Sequence, residues 1–158
     1  MQMRKLRSQD IPLIWEINQQ GLPGTGKVSQ QEIVELLRIA ELTIGAFEDE
    51  QLVGFVLCFL PRTDYASLNY VWFNQRYQDF LYVDRIAVSE NHRNRTIGSL
   101  LYQQVISYAK QYNYPIAAEV SLNPPNPGSM RFHQRFDFAE IGVLNHQSKS
   151  VTMMMRDC

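Results

Sequence analysis

The sequence predicts an α/β fold, a central mixed and mostly antiparallel sheet flanked by helices. Three observations lead there. Strand-like runs and helical periodicities are interleaved along the chain. Two pairs of neighbouring strands are joined by short turns, which makes part of the sheet antiparallel. A strongly periodic helix joins two apolar strands, Phe80 to Val88 and Ile116 to Leu122, as in a parallel crossover unit. The 158 residues fit one domain spanning residues 1–158, with no internal repeat or linker to divide it.

In chain order, Met3 to Leu6 reads as a short first strand. Ser8-Gln9-Asp10-Ile11-Pro12 starts a helix, with capping side chains and proline in the first turn. Leu13, Ile14 and Ile17 continue it at helical spacing until the Gly21 to Gly26 segment breaks it. Ser29 and Glu32 form a capping box for a second helix bearing Ile33, Leu36, Leu37 and Ala40. Leu42 to Phe47 and Leu52 to Leu60 read as a hairpin. Pro61 to Asp79 is predicted as a long irregular connection, a length that in compact domains is often functional. Thr96 to Tyr112 is the strongest helix, with Ile97, Leu100, Leu101, Val105, Ala109 and Tyr112 on one face. Asn123 to Pro127 is a rigid turn, Ser129 to Phe136 a short helix, and Phe138 to Leu144 and Ser150 to Arg156 a last strand pair.

Composition excludes several classes of function. A formal net charge of −1 provides no field for nucleic acid or an acidic membrane. The apolar run Leu52 to Leu60 is too short to span a bilayer. Met1 to Asp10 is polar and basic, so no signal peptide is expected. Cys58 lies in an apolar strand and Cys158 is terminal, which reads as a buried and a frayed thiol rather than a disulfide. A cytoplasmic location is the expectation. His92, His133 and His146 are scattered without metal-ligand spacing, and no metal is expected. There is no G-x-S-x-G elbow and no phosphate loop of the Gly-Lys-Ser/Thr type.

The most informative stretch is His92-Arg93-Asn94-Arg95-Thr96-Ile97-Gly98-Ser99-Leu100-Leu101, between a strand and the best helix. The first N–H groups of a helix have no internal acceptor, and the helix dipole adds positive charge there. With Arg93 and Arg95 this makes an anion site suited to a pyrophosphate. Arg93-Asn94-Arg95-Thr96-Ile97-Gly98 resembles the R/Q-x-x-G-x-G/A motif of the GNAT superfamily of N-acetyltransferases. Val83-Asp84-Arg85-Ile86-Ala87-Val88 is similar to that family's fourth strand. Asn126-Pro127-Gly128-Ser129-Met130-Arg131-Phe132-His133-Gln134-Arg135-Phe136-Asp137-Phe138 resembles its later motif, N-x-x-(A/S)-x-x-F-Y-x-x-x-G-F. Three departures stand out: Thr96 and Asp137 replace glycines, and His133 replaces the tyrosine that is the family's common general acid. Aspartate enters left-handed backbone more readily than most residues, so the turn at Asp137 can survive.

The resemblance implies an acetyl-CoA-dependent N-acetyltransferase, with the cosubstrate held where the parallel fourth and fifth strands splay. It implies that the backbone of Ile86, Ala87 and Val88 pairs with the pantetheine amides. The turn of Arg93, Asn94, Arg95, Thr96, Ile97, Gly98 and Ser99 then holds the pyrophosphate, and Asn126 and Ser129 meet the pantetheine arm. Asn126 also reads as a helix cap or Asx-turn. The implied reaction is direct attack of a primary amine on the thioester. Asp84 and Glu119 are the candidate bases, each with an alternative reading as a solvated or ion-paired side chain. His133 is the candidate acid toward sulfur, or a helix residue packed beside Phe132 and Phe136. Tyr82 and Tyr102 are further hydroxyl donors.

The acceptor, a small-molecule or peptide amine, is expected to meet residues Gly21 to Lys27 and Pro61 to Asp79. The seven aromatics from Tyr65 to Tyr82 there suit core or interface more often than a substrate cage. A homodimer is compatible with the exposed aromatics and last strands. The competing reading is a non-catalytic CoA-binding or interaction module on the same fold.

Overall fold

The structure, a computed structural model, describes residues 1–158. Its strands are β1 (Gln2–Lys5), β2 (Leu42–Glu48), β3 (Gln51–Phe59), β4 (Leu81–Val88), β5 (Ile116–Asn123), β6 (Ala139–Asn145) and β7 (Ser150–Arg156). Its helices are α1 (Ile11–Gln20), α2 (Gln30–Ile39), α3 (Leu68–Arg76), α4 (Ile97–Tyr112) and α5 (Pro127–Arg135). The strands form a seven-stranded sheet in the order β1-β2-β3-β4-β5-β7-β6. β4 pairs with β5 in parallel, and the β1–β2, β2–β3, β5–β7 and β6–β7 pairs are antiparallel. The chain divides into two compact units, Met1–Phe59 with Val83–Tyr108 and Leu60–Tyr82 with Ala109–Cys158.

In the first unit, the β2–β3 hairpin turns at Asp49 and Glu50, whose φ values of 51° and 67° are left-handed. Two consecutive left-handed residues match the twist of the flanking strands. A Cβ on Gly45 of β2 would lie 2.6 Å from Leu6 Cδ2 and 2.8 Å from Leu52 Cδ1, so these buried side chains would have to shift to admit it. A 3-10 turn, Ser8–Asp10, precedes α1, and Pro12 falls in the first turn of α1 as its fixed φ allows. α1 buries Ile11, Ile14 and Ile17 along one face. The capping box of α2 forms as the sequence predicts: Glu32 N donates to Ser29 Oγ and Ser29 N donates to Glu32 Oε1, both at 3.0 Å. Such a cap contributes about 1 kcal/mol. β3 is buried along its whole length except Gln51, which explains its continuous apolar run rather than an alternating one. Cys58 is fully buried on β3, and burial, with the nearby Asp84 charge, pushes its thiol pKa far up.

In the second unit, the segment from Pro61 to Asp79 contains the nine-residue helix α3 instead of the irregular connection expected from sequence. Ser67 caps it by accepting the Tyr70 N–H at 3.5 Å. Asn, Tyr, Trp and Phe are weak helix formers, so local propensity hides this helix. Tertiary packing supplies what propensity lacks. Tyr70 and Phe73 are fully buried, with Tyr70 stacked 6.2 Å from Phe80 and tilted against Tyr82 at 5.2 Å. Phe73 meets Phe80 edge-on at 5.9 Å. The aromatic cluster is therefore core in large part, each such pair adding about 0.5–1.5 kcal/mol beyond its buried area. Trp72 covers Gly142 of β6, where a Cβ would approach the indole to 2.8 Å.

Helix α5 starts at Pro127, two residues before the predicted Ser129, and it ends in a Schellman motif. Phe138 N donates to His133 O at 3.2 Å and Asp137 N to Gln134 O at 3.0 Å. Asp137 takes φ 66°, so it occupies the left-handed position that glycine usually fills. The hydrophobic contact that accompanies this motif is made by Phe138 against the His133 ring, 5.2 Å apart.

Candidate active site

The turn between β4 and α4 is shaped by two left-handed residues, Asn94 at φ 65° and Thr96 at φ 64°. Asparagine tolerates this region, but a β-branched threonine there is strained by about 1–3 kcal/mol. That backbone requirement is the physical reason a glycine suits the position. Thr96 Oγ1 donates to Arg95 O at 2.5 Å, and Thr96 O accepts the Leu100 N–H at 3.0 Å, the first bond of α4. The N–H groups of Ile97, Gly98 and Ser99 precede that bond and form the positive end of a 16-residue helix.

The two arginines of the turn have different surroundings. Arg93 donates through Nε to Val88 O at 3.3 Å and through Nη2 to Gln20 O at 3.0 Å, tying the turn to β4 and to the end of α1. Arg95 lies 3.6 Å from Glu48 with both side chains well exposed, a pairing worth at most about 1 kcal/mol. Gly54 of β3 faces the same region, and a Cβ on it would sit 3.2 Å from Ala87 O and from Ile97 Cγ2. Along the end of β4, Ile86 and Val88 are half-buried while Ala87 is buried.

Asp84, a candidate base, is bound to its neighbour. Arg85 Nε donates to Asp84 Oδ2 at 2.7 Å, and the two side chains are only 4% and 7% exposed. Arg85 Nη1 also donates to Asn18 Oδ1 at 3.2 Å and to Gly26 O at 3.1 Å. Asn18 Nδ2 donates to Gly26 O at 3.0 Å, and Thr25 Oγ1 donates to Asn18 O at 3.1 Å. The segment from Gly21 to Lys27 is thus pinned to β4 through Arg85. A groove of about 560 Å³ beside it is lined by Trp15, Gln19, Lys27, Val28, Ser29, Gln30 and Glu32. Sequence reasoning passed over Arg85; a cation on a strand side that alternation marks as apolar was the available signal.

In the second unit, Glu119 on β5 is half-buried. The Tyr82 hydroxyl donates to both of its oxygens at 2.9 Å, and Asn69 Nδ2 donates to its Oε1 at 3.1 Å. Asn69 Oδ1 in turn lies 3.0 Å from His146 Nε2. Neither Asn69 nor His146 was singled out from sequence as part of a site, because they stand 50 and 77 residues from the groups they join.

The residues of α5 take positions that weigh on their expected roles. Asn126 Oδ1 accepts the Ser129 N–H at 3.2 Å, which is the helix-cap reading; Asn126 is exposed. His133 is 5% exposed, and its Nδ1 lies 2.8 Å from Ser129 O. A carbonyl only accepts, so Nδ1 carries the proton. Burial lowers the His133 pKa below the ordinary 6.5, more than the Ser129 carbonyl raises it. The imidazolium form needed for proton donation to sulfur is therefore disfavoured at neutral pH. No three His, Cys, Asp or Glu side chains are grouped to hold a metal ion, and no helix is long and apolar enough to cross a membrane.

The chain is similar in sequence and in fold to known acetyltransferases. L-2,4-diaminobutyric acid acetyltransferase of Halalkalibacterium halodurans is 31% identical over 98 residues, 61% of this chain and 43% of that protein. The chain thus spans less than half the length of that relative. The fold matches the ribosomal-protein-S18-alanine N-acetyltransferase of Escherichia coli with a TM-score of 0.78 at 13% identity, covering 99% of this chain and 92% of that one. It matches Arabidopsis thaliana NAA60, solved in complex with acetyl-CoA, with a TM-score of 0.77 at 17% identity, covering 99% of each chain. The model of the acetyltransferase (GNAT) family matches residues 11–138, and the chain belongs to that family.

Proposed function

We propose that the chain transfers the acetyl group of acetyl-CoA to a primary amine of a small molecule or peptide. The observation that carries this reading is the turn from Arg93 to Ser99. Two left-handed residues, Asn94 and Thr96, lead into a helix start whose first N–H groups, those of Ile97, Gly98 and Ser99, have no acceptor within the helix, and Arg93 of the same turn is held by Val88 O and Gln20 O. A pyrophosphate is the group whose charge and acceptor geometry suit that arrangement. The backbone of Ile86, Ala87 and Val88 leads into the turn and suits pairing with pantetheine amides. Asn126 uses its Oδ1 for the cap and keeps an amide N–H to offer a pantetheine carbonyl.

Acetyl-CoA supplies the activated thioester. In the reaction the amine nitrogen bonds to the carbonyl carbon, the carbon–sulfur bond breaks, and CoA leaves as a thiol. Glu119 is the base this reading favours for the ammonium proton. It is half-exposed and oriented by two neutral donors, whereas Asp84 is buried against a guanidinium. His133 supports the end of α5 in this reading, and the proton taken up by sulfur comes from another donor or from solvent.

The reading is tested by incubating the protein with acetyl-CoA and a panel of amines, including diamino acids and peptides with free N-termini, and following thiol release. Acceptor-dependent release supports it. Acetyl-CoA binding without turnover instead supports a non-catalytic CoA-binding module, a reading favoured by the ion pairing of Asp84 and the burial of His133.

A further inference from the structure

The first turn of α3 places one amide between two distant parts of the second unit. Asn69 Nδ2 donates to Glu119 Oε1 at 3.1 Å, and Asn69 Oδ1 faces His146 Nε2 at 3.0 Å. The chemistry of the partners fixes the direction of both bonds. An ionised carboxylate only accepts, so the amide N–H₂ faces Glu119. The amide oxygen then faces His146, which must carry a proton on Nε2 to donate to it. His146 belongs to the tight β6–β7 turn, where its N–H donates to Lys149 O at 2.7 Å. Both oxygens of Glu119 also meet the hydroxyl of Tyr82, whose ring is fully buried, 5.2 Å from Tyr70 and 5.8 Å from Phe73.

We infer that Asn69 is a positioning residue for acetyl transfer: it fixes the rotamer of Glu119 and joins it to the β6–β7 turn through His146. The inference rests on the reading of Glu119 as the base. The terminal torsion of a glutamate is broad and roughly two-fold, and the Tyr82 hydroxyl, 2.9 Å from both oxygens, does not distinguish one from the other. A second donor on Oε1 selects one orientation, so the oxygen that meets the amine proton is set before the substrate arrives. α3 contributes aromatic core through Tyr70 and Phe73, while Asn69 on the same helix is half-buried and polar. Packing alone does not call for an asparagine there.

The test compares Asn69→Ala, Glu119→Gln and the double variant in steady-state acetylation. Alanine is the better helix former and the Ser67 cap is untouched, so Asn69→Ala should keep its thermal midpoint within a few degrees. It should lower kcat by about tenfold to a hundredfold, the scale on which loss of orientation acts, while leaving KM for acetyl-CoA unchanged. Combined with Glu119→Gln it should add no further loss, because both changes act on one group. Unchanged kcat in Asn69→Ala, or an equal additional loss in the Glu119→Gln background, overturns the positioning role alone. Full turnover in Glu119→Gln overturns the base and this role together. Absence of turnover in the unaltered protein overturns the proposed function itself.

Discussion

Arg85 donates to Asp84 at 2.7 Å although the two are consecutive on β4, and strand alternation assigns them to opposite faces. The bond is made by Nε, the guanidinium nitrogen nearest the arginine's own backbone, and both side chains are buried. The same guanidinium continues to Asn18 and Gly26, so one buried cation serves the strand, helix α1 and the segment that follows it.

Breaking that pair from one side should destabilise the protein more than removing both partners. Asp84→Asn or Arg85→Met leaves a buried charge without its counterion, at a cost of about 3–5 kcal/mol. Denaturant unfolding of these variants and of the Asp84→Leu/Arg85→Met double variant measures the difference. A base at Asp84 would show the opposite pattern in Asp84→Asn, with turnover lost and stability kept.

Thr96→Gly should stabilise the protein without weakening acetyl-CoA binding. Glycine enters left-handed backbone without the threonine penalty, and the relief of about 1–3 kcal/mol is offset in part by the greater unfolded-state entropy of glycine. The net effect on stability should be a gain of about 1 kcal/mol. Calorimetric titration should show an acetyl-CoA Kd no higher than that of the unaltered protein, because the strain is relieved in the free and the bound protein alike. A weaker complex with Thr96→Gly would mean that the threonine hydroxyl itself contacts the ligand.

Arg93 and Arg95 should separate in a comparison that their sequence positions do not suggest. Arg93 ties the turn to Val88 and Gln20, so Arg93→Ala should weaken acetyl-CoA binding by about tenfold or more, the scale of a charged hydrogen bond. Arg95 meets an exposed Glu48 at 3.6 Å. Arg95→Ala should shift stability by less than about 1 kcal/mol, and raised ionic strength should abolish even that.

The buried His133 predicts a pH dependence of stability. Its folded pKa lies below the ordinary 6.5, because burial disfavours the charged ring. Above pH 6.5 the ring is neutral in both states and the protein keeps its full stability. As pH falls from 6.5 through the folded pKa, the unfolded chain binds a proton that the folded one does not, and stability drops. Thermal midpoints between pH 7.5 and 5 should show this slope, and His133→Phe should flatten it. An unaltered slope in that variant would assign the effect to another group.

Much of the fold was legible because its signals are local. The Ser29/Glu32 box, the β2–β3 turn and the long helix from Ile97 each declare themselves within a few residues. The anion turn was legible for the same reason, since Arg93 through Ser99 are contiguous. α3 was not, because its weak helix formers are held by Phe80 and Tyr82, which follow it in sequence. The surroundings of the candidate bases were hidden in the same way. The Asn69–Glu119 bond joins residues 50 positions apart, and Arg85 reaches Asn18 across 67.

By itself, then, the sequence determined the order of the elements other than α3, the family and the turn suited to a phosphorylated cosubstrate. Those properties rest on periodicity, capping and contiguous motifs, which act over short range. Only the tertiary structure decided that Asp84 is neutralised by Arg85, that His133 is buried at a helix end, and that Glu119 is held by Tyr82 and Asn69. The reactivity of an ionisable group is set by its desolvation and by the charges and donors around it, and folding brings those from distant parts of the chain.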